Sequence, residues 1–114
     1  MAMEQVIDFF KEQGIYDESF FMYIKDKVKV LPFDISLAWF GCFPIVKDNI
    51  IVDIRVAVPK IVTEQNLLVN IHEFYHAYEI YNELGQEYIP NIEEREKRAS
   101  LFEETYILSK KKTK

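Results

Sequence analysis

The chain has 114 residues, 49% of them hydrophobic and 15% aromatic, with a formal net charge of −5. That length supports one packed core but not two ordinary domains, and the acidic balance argues against a general nucleic-acid surface, which needs clustered Lys and Arg. The single cysteine, Cys42, excludes an intramolecular disulfide and a cysteine-based zinc site, and no apolar run approaches the roughly 20 residues of a membrane-spanning helix.

Met1-Ala2-Met3-Glu4 lacks the basic segment and apolar core of a secretion signal, so a cytoplasmic protein is expected. Residues 4–12 carry Val6, Ile7, Phe9 and Phe10 among charged side chains and run toward Gly14, the pattern of a short amphipathic helix with a glycine stop. Asp17 is placed to cap a second helix reaching about residue 27. From Val28 the texture turns β-rich. Residues 28–31 and 36–43 read as short strands punctuated by Pro32 and Pro44, with Trp39, Phe40 and Phe43 expected in the core, or else as a partly exposed aromatic wall suited to an apolar side-chain pocket.

Lys47-Asp48-Asn49 has turn composition, and residues 50–58 form the clearest strand. In it Ile50, Val52, Ile54, Val56 and Val58 alternate against Ile51, Asp53, Arg55 and Ala57, so one face is expected in the core. Its place in the sheet stays open: interior, or an edge that adds an extended peptide as a further strand. Thr63 can cap a long helix from 64 to about 84, stopped by Gly85. A last helix starts at Asn91, where Glu94 completes a capping-box-like spacing, and runs to about residue 109. The pattern is that of an α+β domain with N-terminal helices, a short mixed or antiparallel sheet and two C-terminal helices. It spans residues 1–114 as one domain, with the basic residues 110–114 expected to form a frayed, solubilising tail.

Both histidines of the chain fall in one pentapeptide, His72-Glu73-Phe74-Tyr75-His76, inside the first of the two C-terminal helices. At about 100° per residue they lie about 40° apart and one turn along, with Cβ atoms about 5–6 Å from each other, so both imidazoles can reach one ion. Zinc in a catalytic site takes three protein ligands and leaves the fourth position to water, so one more ligand is required. Glu73 points about 100° round from His72, unsuited to ligation but placed to take a proton from that water. Gln65, Glu79 and Glu83 share the histidine face, while Leu67, Ile71, Phe74, Tyr78 and Tyr81 hold the opposite one, which an ordinary solvated polar face would also produce.

In the last helix Ile92, Glu96, Ala99, Glu103, Tyr106 and Ile107 share one side, so two carboxylates interrupt an apolar stripe. A buried unpaired charge is costly, and an ion held by two histidines would satisfy Glu96. Ion pairs with Arg55, Arg95 or Arg98 are the alternative. The connection over 85–90 is short enough to pack the two helices face to face. Glu96 is the first choice of third ligand, with Glu79, Glu93 and Glu103 in reserve.

These residues resemble the gluzincin metalloproteases, in which a helix bearing HExxH is followed by a second helix with a Glu ligand, and most of all the ImmA/IrrE-like group. The second motif of that group has the form Glu-x-x-Ala-(Asn/Asp)-x-Phe, usually followed by Ala; here the chain reads Glu96-Lys97-Arg98-Ala99-Ser100-Leu101-Phe102-Glu103. The resemblance covers about residues 50 to 106 in order of elements. It implies a small zincin-like fold, His72, His76 and Glu96 as ligands of a zinc ion, and Glu73 as catalytic base. Ser100 stands where the family has the Asn or Asp that supports a ligand histidine, and a hydroxyl supports it more weakly. Glu103 replaces a small residue, and Phe74-Tyr75 replaces the usual Leu-Gly.

A zinc-dependent endopeptidase acting on a protein substrate, in a bacterial or phage setting and on a regulatory or repressor protein, is what the resemblance implies. The rival expectation is a catalytically inactive zincin-like protein-binding module with a structural or vestigial metal site. No helix-turn-helix segment accompanies the motifs, so a repressor partner would be a separate protein. Candidates for stabilising an oxyanion are Tyr75, Tyr78, Tyr81, Tyr106 and Arg98. Cys42 is expected to be an inert buried thiol.

Overall fold

A computed structural model of the chain describes residues 3–32, 36 and 39–112. Among these, the order of elements is α1 (Glu4–Glu12), α2 (Glu18–Ile24), β1 (Val28–Leu31), β2 (Gly41–Lys47), β3 (Ile50–Pro59), α3 (Glu64–Tyr81) and α4 (Ile92–Lys112). The architecture is therefore α+β, and none of the helices is long and apolar enough to cross a membrane.

The helix starts follow from local chemistry. Asp17 accepts from the backbone N–H groups of Ser19 and Phe20 at 2.9 and 3.3 Å, capping α2. Thr63 and Asn66 form a reciprocal capping box at the start of α3, with Asn66 N–H donating to Thr63 Oγ1 at 3.2 Å and Thr63 N–H to Asn66 Oδ1 at 2.9 Å. Asn91 precedes α4 as expected, yet its side-chain oxygen is buried without a partner, so the expected box with Glu94 is not made. α4 continues to Lys112, into the segment expected to fray, and residues 113 and 114 lie outside the described residues.

The sheet has the order β1-β3-β2, with β3 parallel to β1 and antiparallel to β2. β3 is thus the central strand, and of its two expected places the edge falls away. Asp48 and Asn49, with φ of 51° and 68°, make the tight turn between β2 and β3; both residue types tolerate that left-handed region. The strand expected over 36–43 is displaced: Trp39 sits in a short 3-10 turn, β2 begins at Gly41, and residues 37 and 38 lie outside the described residues. Phe40 is buried as expected, but Trp39 and Phe43 are 67% and 50% exposed, because neither sits on the inner face of the sheet.

The simple alternation expected for β3 also breaks. Pairing steps from Ile45 with Asp53 to Val46 with Ile51, which leaves Val52 as an extra residue. A one-residue bulge reverses which face each side chain takes, so Ile51 is buried with Ile54, Val56 and Val58 while Val52 is exposed.

α3 lies at the centre of the packing. Leu67, Ile71, Phe74 and Ala77 form a buried stripe at helical spacing, and α3 packs against β3, α4, α1 and α2. The core closes with aromatic pairs such as Phe10 on Phe102 at 5.2 Å and Phe9 on Phe102 at 5.0 Å between ring centroids. Buried Asn70 is satisfied by donating to the carbonyls of Pro59 and Asn66, both at 3.0 Å.

Candidate metal centre

α3 and α4 lie side by side, and their shared seam is polar. Arg95 forks onto Glu83 at 2.6 and 2.8 Å, and Arg98 reaches Glu79 through Nε at 2.5 Å. Arg55 pairs with Asp53 at 2.6 Å. All three arginines that the sequence offered as partners for Glu96 are therefore engaged elsewhere, and Glu79 is withdrawn from the reserve ligands. Glu93 is exposed on the first turn of α4.

Glu96 meets the histidines instead. His72 Nε2 lies 2.8 Å from Glu96 Oε1 and His76 Nε2 lies 3.0 Å from Glu96 Oε2. The two histidine side chains are 13% and 14% exposed, so they are not the solvated polar face that the helical wheel also allowed. Glu96 itself is 56% exposed, which overturns the expectation that it is a buried charge in need of a partner. Geometry, not burial, is what ties Glu96 to the pair.

His72, His76 and Glu96 each offer one ligand atom, and these atoms all lie within 4.8 Å of one another. Ligands at about 2.0–2.2 Å in a tetrahedral zinc site are about 3.4 Å apart, a spacing inside that limit. Two imidazoles and a carboxylate are also a donor set that zinc accepts. Burial lowers the His76 pKa, against the raising effect of its hydrogen bond to Glu96 and in concert with the charge of His72. A neutral imidazole is the form an ion requires.

Glu103, not Ser100, meets His72: its Oε1 lies 3.0 Å from His72 Nδ1, while Ser100 is exposed. A carboxylate on the second ring nitrogen is the usual outer arrangement of a ligand histidine. Glu103 is thus engaged by His72 on the nitrogen away from Glu96.

Glu73 lines the hollows on both sides of the cluster, one with His76 and Glu96 and one with His72 and Glu103. Burial pushes its pKa up to about 7, the carboxylates of Glu96 and Glu103 add to the rise, and the charge of His72 opposes it.

The oxyanion candidates read from the sequence do not reach these hollows. Tyr75 stacks on Phe102, Tyr78 and Tyr81 pack on Phe20, Tyr106 packs on Phe9, and Arg98 is held by Glu79. Tyr88 and Arg95 are the donors that line the cavity beside Glu73 and His76. Sequence periodicity carries no signal for Tyr88, since it lies in the connection between the helices. Cys42 lines the same cavity half-buried, and burial followed by the negative charge of Glu73 raises its thiol pKa well above the ordinary value, as expected of an inert thiol.

No protein-family model, curated protein or solved structure gives a significant match to this chain.

Proposed function

We propose that this chain is a minimal zinc-dependent endopeptidase of zincin-like plan, resembling the ImmA/IrrE-like group in its two motifs and acting on a protein substrate. The observation that carries this reading is the convergence of both histidine Nε2 atoms on one carboxylate from the neighbouring helix, beside a half-buried Glu73. In it His72, His76 and Glu96 would hold the ion and Glu103 would orient His72. A zinc ion there would supply Lewis acidity to the reacting water and carbonyl.

Glu73 takes a proton from the attacking water on its carboxylate and returns it to the departing amine, a role suited to a carboxyl group whose pKa lies near neutrality. Tyr88 and Arg95, whose Nη atoms are held by Glu83 while its buried Nε has no partner, are the donors available to a carbonyl oxygen in this cavity. Among the described residues β2, not β3, is the edge strand beside the site that an extended peptide could join, since its Gly41, Cys42, Phe43 and Pro44 line the cavity and β3 holds its other side.

Glu73→Gln is expected to retain zinc and lose at least about a hundredfold in cleavage, the scale of one general base. Unchanged proteolysis in that variant would sink the mechanism.

One observation favours a second reading. The His72, His76, Glu96 and Glu103 groups already satisfy one another as a hydrogen-bonded strut between α3 and α4. In a catalytically inactive protein-binding module that strut would serve stability alone. Partner binding would then be equal in wild type and Glu73→Gln, with no cleavage by either.

A further inference from the structure

α3 packs on β3 and β2, while β1 is held to the sheet by β3 alone among the described strands. Val28 and Val30 of β1 pair with Val56 and Val58 of β3, and directly paired residues share a face of the sheet. Val56 and Val58 are buried, so Val30 belongs to the core side, yet it is 44% exposed. A cavity of about 340 Å³ opens there, between β1, the end of β3 and the Asn70 and Phe74 turn of α3. Neither the two histidines nor Glu73, Glu96 and Glu103 take part in its lining.

The lining sets what can fill it. Val58 and Phe74 make an apolar floor, and Asn70 spends both amide hydrogens on the Pro59 and Asn66 carbonyls at 3.0 Å. Its side chain therefore has no free donor, and a charged group pushed to the bottom would lose its water without a partner. At the rim stands Lys60, exposed and without an ion pair among the described residues. Apolar walls with one polar group to fix the orientation are the make-up of a small-ligand site. Here that make-up requires a hydrocarbon body inside and one negative charge outside.

We propose that this cavity binds a free medium-chain monocarboxylic acid, with its tail over Val30, Val58 and Phe74 and its carboxylate at Lys60. The site lies apart from the metal centre and does not depend on the peptidase reading.

The test titrates wild type with straight-chain acids from butanoate to decanoate and follows the methyl signals of Val28, Val30 and Val58. Each added methylene is expected to tighten binding about fourfold. The gain continues beyond hexanoate, whose tail already exceeds any aliphatic side chain of a protein. Lys60→Ser is expected to weaken octanoate by up to about fivefold, the scale of an exposed ion pair, and to leave octanol unchanged. Val30→Glu alters an exposed position and is expected to keep the melting temperature while losing both ligands. No shift of these methyl signals with any acid, or octanoate binding unchanged in Val30→Glu, overturns the proposal. A gain that stops at hexanoate does so as well, and assigns the cavity to a single side chain of a partner. Sedimentation with phosphatidylcholine vesicles in the absence of octanoate binding also overturns it, in favour of a lipid surface.

Discussion

His72 is held at both ring nitrogens, by Glu96 through Nε2 and by Glu103 through Nδ1, whereas His76 meets Glu96 alone. A carboxylate on the far nitrogen fixes the ring and raises its basicity as a ligand, and losing such a partner typically costs about 10–100-fold in metal affinity. Glu103→Ala is expected to weaken zinc binding by about that factor, and Glu103→Gln, which keeps an acceptor oxygen, by less. Competition with a chromophoric chelator reads the difference, and equal affinity in all three proteins would remove this role. The histidine pair is legible in the sequence because a four-residue spacing is set by one helix alone. Glu103 is legible only as one carboxylate among several. Its partner depends on how α4 slides along α3, and spacing within either helix does not determine that.

At the scale of elements, the starts of α2 and α3 are legible because Asp17, Thr63 and Asn66 act on backbone groups within three residues. The face of β3 is not, since the extra Val52 comes from a mismatch with β2 that is invisible in either strand alone. Asp53, next to that bulge, joins β3 to α2 and to the turn that follows it. It accepts from Tyr23 at 2.7 Å and pairs with Lys27 at 3.0 Å and Arg55 at 2.6 Å. Burial by itself raises the Asp53 pKa, but the hydrogen bonds from Tyr23, Lys27, Ile54 N–H and Arg55 outweigh it and hold the carboxyl well below its usual range. A folded value below the unfolded one of about 3.9 means that this stability is present above about pH 4 and is lost as the pH falls through the folded value. Asp53→Asn is expected to cost about 1–3 kcal/mol at neutral pH. In urea unfolding the gap to wild type should narrow below about pH 4; a gap that stays constant down to pH 3 would contradict the assignment.

For the molecule as a whole, the sequence conveys the α+β class and the run of helices and strands, but not which strand lies at the edge. Strand order is decided by pairing between distant segments, and the cluster of aromatic residues around Phe10, Phe20 and Phe102 sets how α1, α2 and α4 close over α3. The proposed site bridges α3 and α4, so an ion bound there binds the folded chain alone. Zinc at a hundred times its Kd is then expected to stabilise the fold by about 2.7 kcal/mol, seen as a rise in Tm that chelator reverses; no rise would count against a site between the helices. His72, His76 and Glu96 are proposed to hold one ion. Elemental analysis of untagged wild type, His76→Ala and Glu96→Ala, purified without chelator, reads that ion. About one zinc per chain in wild type, lost in both variants, is the predicted result. A wild type that holds no zinc and takes up none on titration, or zinc that survives Glu96→Ala, would contradict it.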